Sequence, residues 1–411
     1  MLSASSLPSS IASIRNSRQP EPMRETAKHE APCPLPTGRQ TWAEVDLRAL
    51  ADNFRALTSL LAAPAGAPRV IPVIKAEAYG HGMIPVARAL ASAGATMFAV
   101  GIVDEGVRLR QEGISQDILV LATTWSEQTR AALENRLILA IDSPEGVRCL
   151  QRAQKEALLP ASIHIKVDTG MARLGVRWNK MQELLDAVRH ADLIQVKGVF
   201  SHLSSADEAD PAFTLEQIRR FEYSLSAVRE SGLDPGEIHF ANSAGILYYE
   251  QLRRWSARSG IALYGYHPDP QRGSLKLRPA LSLKTRIGPI RTFGAGEPIG
   301  YNRKYVTSRP TRASVLPIGY ADGYSRRLFP GARVIVRNRW APVIGAVSMD
   351  MIAVDLTDVP AVREGDEVIL LGSCASCRMT AEQWASIMET IPYEILCGIG
   401  PRIPRIYLPN D

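Results

Sequence analysis

Lys75 closes the apolar run Val70-Ile71-Pro72-Val73-Ile74, and the turn Ala76-Glu77-Ala78-Tyr79-Gly80-His81-Gly82 follows at once. A β-branched run of this kind fits a strand buried on both faces, with an amine at its C-terminal mouth. A partly desolvated lysine there has a lowered pKa and can form a Schiff base with an aldehyde. The plainer alternative is a lysine reaching from a strand end into solvent. Comparable breaks recur along the chain. In Lys166-Val167-Asp168-Thr169-Gly170-Met171-Ala172-Arg173-Leu174-Gly175 a strand ends in charged residues and a glycine turn presents an arginine. His202 follows Phe200-Ser201, and Ser243 in Ala241-Asn242-Ser243-Ala244 stands near a helix start, where a hydroxyl and backbone N–H groups can bind phosphate. Arg258 leads into Ser259-Gly260-Ile261, and Tyr320 sits in the polar turn Gly319-Tyr320-Ala321-Asp322-Gly323. Together these groups offer carbonyl capture, phosphate binding and proton transfer. Taken singly, each also fits an ion pair, a loop cap or a packing residue.

Strand and helix alternate from about residue 41 to 270, which brings the breaks to one end of a sheet. Val70–Lys75, Phe98–Val103, Ile118–Thr123, Leu137–Ile141, Ile163–Val167, Val196–Phe200 and Ile238–Phe240 read as strands, each followed by a helical pattern. Arg254–Arg258 and Ile261–Tyr264 are candidates for the eighth; the first leaves Ser259-Gly260-Ile261 as a loop at the strand mouth. Eight parallel strands with right-handed helical crossovers predict a (β/α)8 TIM-type barrel over residues 41–270, an open doubly wound sheet being the alternative. In that barrel, chemistry gathers at the C-terminal mouths of the strands.

Beyond residue 270 the apolar runs shorten and turns separate them, which predicts a mainly β C-terminal domain over 271–411. A helix near Thr380–Glu389 and a last strand near Arg405–Tyr407 complete it, and it is also able to take up a strand near 41–47. Residues 1–40, rich in Ser, Pro and Arg, carry no apolar periodicity and read as a disordered extension.

The chain has 411 residues, 45% of them apolar, with a net charge of +6. That is the composition of a soluble globular protein of two-domain length. No basic cluster with interleaved aromatics points to nucleic acid, and no apolar run reaches the length of a membrane span. Five cysteines scattered over the chain suit a reducing, cytoplasmic setting rather than a disulfide framework. Cys374-Ala375-Ser376-Cys377 has metal or redox spacing, but no second Cys/His pair lies nearby, so no metal site is expected.

Lys75-Ala76-Glu77-Ala78-Tyr79-Gly80-His81-Gly82, the Arg173 segment and the Gly-Tyr-Ala-Asp-Gly turn resemble the signatures of the alanine racemases, and the resemblance extends from Thr41 to Tyr407. It implies a racemase that interconverts L- and D-alanine on pyridoxal 5'-phosphate and so supplies D-alanine for peptidoglycan. It further implies that Lys75 carries the coenzyme and is the base for the D face, while Tyr320 serves the L face. By the same resemblance Arg173 bonds the coenzyme's phenolic oxygen, and Lys166, often carbamylated in the family, holds that arginine. His202 supports Tyr320 and the arginine facing the pyridine nitrogen, Arg258. Tyr79, Asn242, Ser243, Gly260 and Ile261 form the phosphate cup. Met349 and Asp350 line the substrate end, with Tyr301 near the entrance. In the family, Tyr320 and the Met349 segment come from a second subunit, which implies a head-to-tail homodimer with shared active sites.

Glu77 stands where the family usually has Asn or Asp. Where Pro401 stands, some members have a tyrosine that touches the phosphate, and its absence implies a wider pocket that would also admit serine or another small amino acid. A decarboxylase of related barrel and β domain is a further alternative, as is a small PLP-binding protein without racemase activity. The second of these lacks a β domain.

Overall fold

The computed structural model describes residues 38–61, 68–124 and 126–409, so the expected disorder of residues 1–40 falls almost wholly outside the described residues. Eight parallel strands make the first unit. Their order around the sheet is Val70–Pro72, Ser256–Ser259, Glu237–Ala241, Ile194–Phe200, Ala161–Asp168, Ile138–Ile141, Asp117–Thr123 and Met97–Val100. Each strand therefore lies beside its neighbour in sequence. The ring closes where Val73 bridges Ala99 and the Ile74 N–H donates to the Ala99 carbonyl at 2.9 Å. Closure makes this a (β/α)8 barrel and excludes the open doubly wound sheet.

Every residue of Met97–Val100 and of Ile138–Ile141 is buried, because helices cover the outer face and side chains fill the interior. Some of the helices start at a side-chain cap. The Ser143 hydroxyl accepts from the Gly146 N–H at 3.1 Å ahead of Pro144, which opens the helix Pro144–Ala157. The eighth strand is Ser256–Ser259, close to the preferred candidate, and Ile261–Tyr264 is buried turn.

The second unit is a mainly antiparallel sheet. Its strands run in the order Ile290–Phe293, Thr311–Leu316, Ile352–Asp355, Arg339–Ile344, Arg333–Val336, Glu367–Ser373 and Leu281–Arg286. Trp42–Asp46 then joins this sheet, antiparallel to Leu281–Arg286 and parallel to Arg405–Leu408. The chain thus passes through the second unit before entering the barrel, which ties the two together. In the Cys374–Cys377 turn the Cys377 N–H donates to Cys374 Sγ at 3.2 Å. Among the described residues no cluster of three metal-ligating side chains occurs, and no helix is long and apolar enough to cross a membrane.

Candidate active site

The first barrel strand stops at Pro72, short of the expected Lys75, and the backbone then changes hand. Ala76, Glu77, Ala78 and Tyr79 all take φ of 51–53°, one turn of left-handed helix directly behind the lysine. For residues with a Cβ this costs roughly 1–2 kcal/mol each, so the surroundings must enforce it. Several contacts do so. Glu105 accepts from the Ala76 N–H at 2.6 Å and from the Gly101 N–H at 2.7 Å. The Glu77 carboxylate pairs with Arg108 and accepts from the Met83 N–H. His81 Nδ1 lies 2.9 Å from the Tyr79 carbonyl, the Tyr264 hydroxyl donates to the Val73 carbonyl at 2.9 Å, and Arg405 donates to the Gly80 carbonyl at 3.1 Å. The departure at Glu77 therefore has a structural use, since its longer side chain reaches Arg108.

Behind this turn the second unit leaves room only for glycine. A Cβ on Gly80 would stand 2.2 Å from the Leu396 carbonyl, and one on Gly82 would stand 2.0 Å from the Tyr407 hydroxyl. Both glycines also have positive φ. The position of Lys75 is thus fixed from both units.

Lys75 opens onto a cavity of about 600 Å³ at the C-terminal mouth of the barrel, which Tyr79, Lys166, Arg173, His202, Asn242, Ser243, Arg258 and Gly260 also line. All of these were expected from the sequence. Ile261 is wholly buried behind them. Four of the lining side chains are cations and none is a carboxylate. Burial, then repulsion from Arg173, lowers the Lys75 amine below its ordinary value. The Lys166 ammonium, which donates to the Leu121 carbonyl at 2.6 Å, is pushed down to about 8 by burial and by Arg258 and Arg173.

Arg258 is buried and heavily engaged. It donates to His239 Nδ1 at 2.8 Å, to the His239 carbonyl at 2.9 Å, to the Ser201 carbonyl, and to His202 Nδ1 at 3.2 Å. Burial, then repulsion from Arg173, pushes the guanidinium down to about 9, still protonated at neutral pH. Burial and the surrounding cations hold His202 far below the ordinary histidine range, so it is neutral. Its Nδ1 accepts, which puts the proton on Nε2. Arg173 makes no hydrogen bond or ion pair among the described residues and stays available.

At the other side of the cavity the Ser243 hydroxyl accepts from the Gly260 N–H at 3.0 Å and the Ala262 N–H at 3.2 Å. Asn242 caps the short helix Ser243–Tyr248 through the Gly245 N–H at 2.9 Å. A Cβ on Gly260 would stand 2.5 Å from the Tyr79 hydroxyl, so only glycine leaves the space between that hydroxyl, Ser243 and the backbone open. Hydroxyls and backbone N–H groups beside an unbalanced set of cations suit phosphate and phenolate oxygens.

Tyr320, Met349, Asp350 and Tyr301 do not line this cavity. They lie together on the second unit. The Tyr320 N–H donates to the Ser348 carbonyl at 3.1 Å and the Ala321 N–H to that of Met349 at 3.0 Å. Asp350 pairs with Arg402 at 2.7 Å, and the Gly300 loop packs on Gly345 beside them. Tyr320 is 42%, Met349 52% and Tyr301 66% exposed, unusual for large apolar side chains on one face.

The cavity is also lined by residues not expected from the sequence, among them Phe200, Tyr393 and Cys397. Phe200 stacks on His239 with ring centroids 4.7 Å apart, and the Arg258 guanidinium lies over the Phe200 ring, 5.0 Å from its centre. Tyr393 stands 5.8 Å from Tyr79, ring centre to ring centre, and Cys397 lies beside Lys75. Pro401 is not among the residues that line the cavity, but a tyrosine is, Tyr393, from the helix Pro392–Cys397. No periodicity marks Tyr393 out; only the packing of that helix on the Lys75 turn reveals it.

Comparison with known proteins agrees with this geometry. The family model described as alanine racemase, N-terminal domain, matches residues 45–268, and that of the C-terminal domain matches 280–407. The alanine racemase of Symbiobacterium thermophilum is 42% identical over 90% of this chain and 97% of its own length, and that of Halothermothrix orenii is 39% identical over the same shares. Among solved structures, the Bacillus anthracis alanine racemase with bound L-Ala-P superposes with a TM-score of 0.86 at 34% identity, over 91% of this chain and 96% of that one. The Bartonella henselae alanine racemase with covalently bound pyridoxal phosphate gives 0.80 at 29% identity, over 90% of this chain and 99% of that one. With both units matched and the barrel-mouth cavity in place, the chain belongs to the alanine racemase family.

Proposed function

We propose that this protein is a cytoplasmic alanine racemase that uses pyridoxal 5'-phosphate, acts as a head-to-tail homodimer and supplies D-alanine for peptidoglycan. The observation that carries the reading is the convergence of Lys75, Lys166, Arg173 and Arg258 with a hydroxyl-and-amide cradle in one cavity free of carboxylates. Lys75 Nζ would hold the coenzyme's aldehyde carbon. Tyr79, Ser243, Asn242 and the backbone at Gly260 and Ile261 would hold its phosphate, Arg173 its phenolic oxygen, and Arg258 would face its ring nitrogen. When bound, the coenzyme supplies the electron sink that makes the substrate's α-proton acidic.

The residues then divide the work. Lys75, with its lowered pKa, takes or returns the α-proton on one face. Tyr320 of a second copy does so on the other, so the substrate need not turn over between the two transfers. The Nε2–H of His202 is a donor for that phenol's oxygen. Arg258 cannot readily give up its proton, so toward a bound coenzyme it would be a poor proton donor to the ring nitrogen and would weaken the electron sink. Met349, Asp350 and Tyr301 complete the substrate end from the second copy, and Lys166, as a carbamate, would anchor Arg173. Within this reading residues 41–270 are the coenzyme-binding barrel, and 271–411, with the strand near 41–47, the domain that offers Tyr320.

The Tyr393 ring at the cavity favours a small side chain on the substrate over the wider pocket inferred from Pro401. The test is conversion of L-alanine to D-alanine by the purified protein with pyridoxal 5'-phosphate, with L-serine in parallel. Turnover of alanine well above serine supports the reading. Release of carbon dioxide without D-alanine would replace it with decarboxylation.

A further inference from the structure

Arg258 rests on a column of buried histidines that runs down the barrel interior, away from the cavity. Its Nη1 donates to His239 Nδ1 at 2.8 Å. Arginine has no acceptor, so that Nδ1 is bare, and neutral His239 carries its proton on Nε2. His239 Nε2 lies 2.7 Å from Nδ1 of His164, which must therefore accept and is itself protonated at Nε2. Both histidines are essentially without solvent contact, at 0% and 1% exposure, and burial is the main force keeping both uncharged.

The seat of His164 is built for this ring. On the neighbouring strand its register partner is Gly198, where the pairing shifts, and a Cβ there would stand 2.6 Å from His164 Cε1 and 2.7 Å from Nδ1. Phe200 stacks on His239 at an interplanar angle of 9° and fixes the plane in which it meets both partners. On its far side His164 faces a cavity of about 440 Å³, at the other end of the barrel, lined also by Arg69, Asp117, Lys197 and Glu237.

We propose that His164 is a positioning residue. By accepting from the Nε2–H of His239 it holds that ring in the one tautomer and orientation able to receive Arg258, and so keeps the guanidinium aimed at the coenzyme ring from a strand that never reaches the cavity through this side chain. The role assigned to Arg258 rests on the proposed function; the hydrogen-bond order of the column does not. Without an acceptor at His164 the His239 N–H is buried and unpaired, which is costly enough to release the ring.

The test compares wild type with His164→Asn, whose Oδ1 can replace Nδ1 as acceptor, and His164→Leu, which offers none. Ring 15N shifts of selectively labelled histidine are read on the coenzyme-free and coenzyme-loaded protein, with the bound coenzyme's absorbance band and its pH midpoint, kcat and KM. Wild type and His164→Asn are expected to show His239 bare at Nδ1 and protonated at Nε2, with the same band and kcat within about two-fold of each other. In His164→Leu the two His239 signals should lose that fixed pattern, the pH midpoint of the band should move, and kcat should fall about ten-fold at little change in KM. The proposal is overturned if wild-type His239 carries its proton on Nδ1, if His164→Leu keeps the wild-type His239 signals and band, or if His164→Asn behaves as His164→Leu does. Should His164→Leu not fold, wild type and His164→Asn still decide it. A wild type that binds no coenzyme would refute the functional reading, while the His239 tautomer is read on the free chain all the same.

Discussion

Nη2 of Arg258 stands 3.2 Å from Nδ1 of His202, so the guanidinium fixes which nitrogen of the imidazole is left to donate into the cavity. The same guanidinium holds His239 and two backbone carbonyls, a fork that no ammonium can reproduce. Arg258→Lys is expected to keep coenzyme binding yet lower turnover by at least about ten-fold, with a shifted coenzyme absorbance band. Wild-type turnover in this variant would remove Arg258 from the account.

The left-handed turn behind Lys75 depends on Glu105 more than on Glu77. Glu105 accepts from Ala76, Gly101 and Ile102 N–H groups, whereas the Glu77 side chain is half exposed, 51%, in its pair with Arg108. Glu105→Ala is expected to cost about 2 kcal/mol and Glu77→Ala less than about 1 kcal/mol. Urea midpoints at unchanged m-value measure both; equal losses would contradict the ranking.

Lys166 gives the protein a pH signature. Its pKa is lowered, to about 8 against an ordinary 10.5, chiefly by burial. Between those two values the unfolded chain holds more protons than the native one, so this group makes stability rise with pH across the window, and its full cost is present below about pH 8. Lys166→Met is therefore expected to be more stable than wild type at pH 7, by up to about 3 kcal/mol, with the gap closing from pH 8 to 10.5. A gap that does not change with pH would contradict this. The stability comparison is made in buffer free of carbon dioxide, where Lys166 is a free amine; in a separate sample with 13C-bicarbonate, wild type should show a carbamate resonance that Lys166→Met lacks.

Gly260 tests the phosphate cradle. With its Cβ 2.5 Å from the Tyr79 hydroxyl, Gly260→Ala should displace Tyr79 and weaken coenzyme binding at least about ten-fold while the fold survives. Titration of the coenzyme band reads this directly, and an unchanged affinity would place the phosphate elsewhere.

Much of this was legible in the sequence because barrel chemistry sits where strands end. Lys75, Lys166, His202 and Arg258 each close or follow an apolar run, and those runs are the strands that meet around one cavity. What the sequence hid was set at long range. Nothing in Ala76-Glu77-Ala78-Tyr79 announces a left-handed turn, whose support comes from Glu105 and Arg405, far away in the chain. Tyr393 belongs to a short helix of the second unit and reaches the barrel mouth only because that helix packs on the Lys75 turn. His164 and Phe200 fall within runs that read simply as strands, and their hydrogen-bond and stacking roles appear only when strands Ala161–Asp168, Ile194–Phe200 and Glu237–Ala241 stand side by side.

The cavity holds Lys75 but not Tyr320, which is exposed on the second unit of the same chain. The most direct measurement mixes two inactive variants, Lys75→Ala and Tyr320→Phe, through unfolding and refolding, and assays D-alanine formation from L-alanine. A dimer that pairs one of each carries one site with both bases intact. The mixture is expected to recover a substantial fraction of wild-type activity that neither parent shows; a mixture as inactive as its parents would contradict a site shared between two copies.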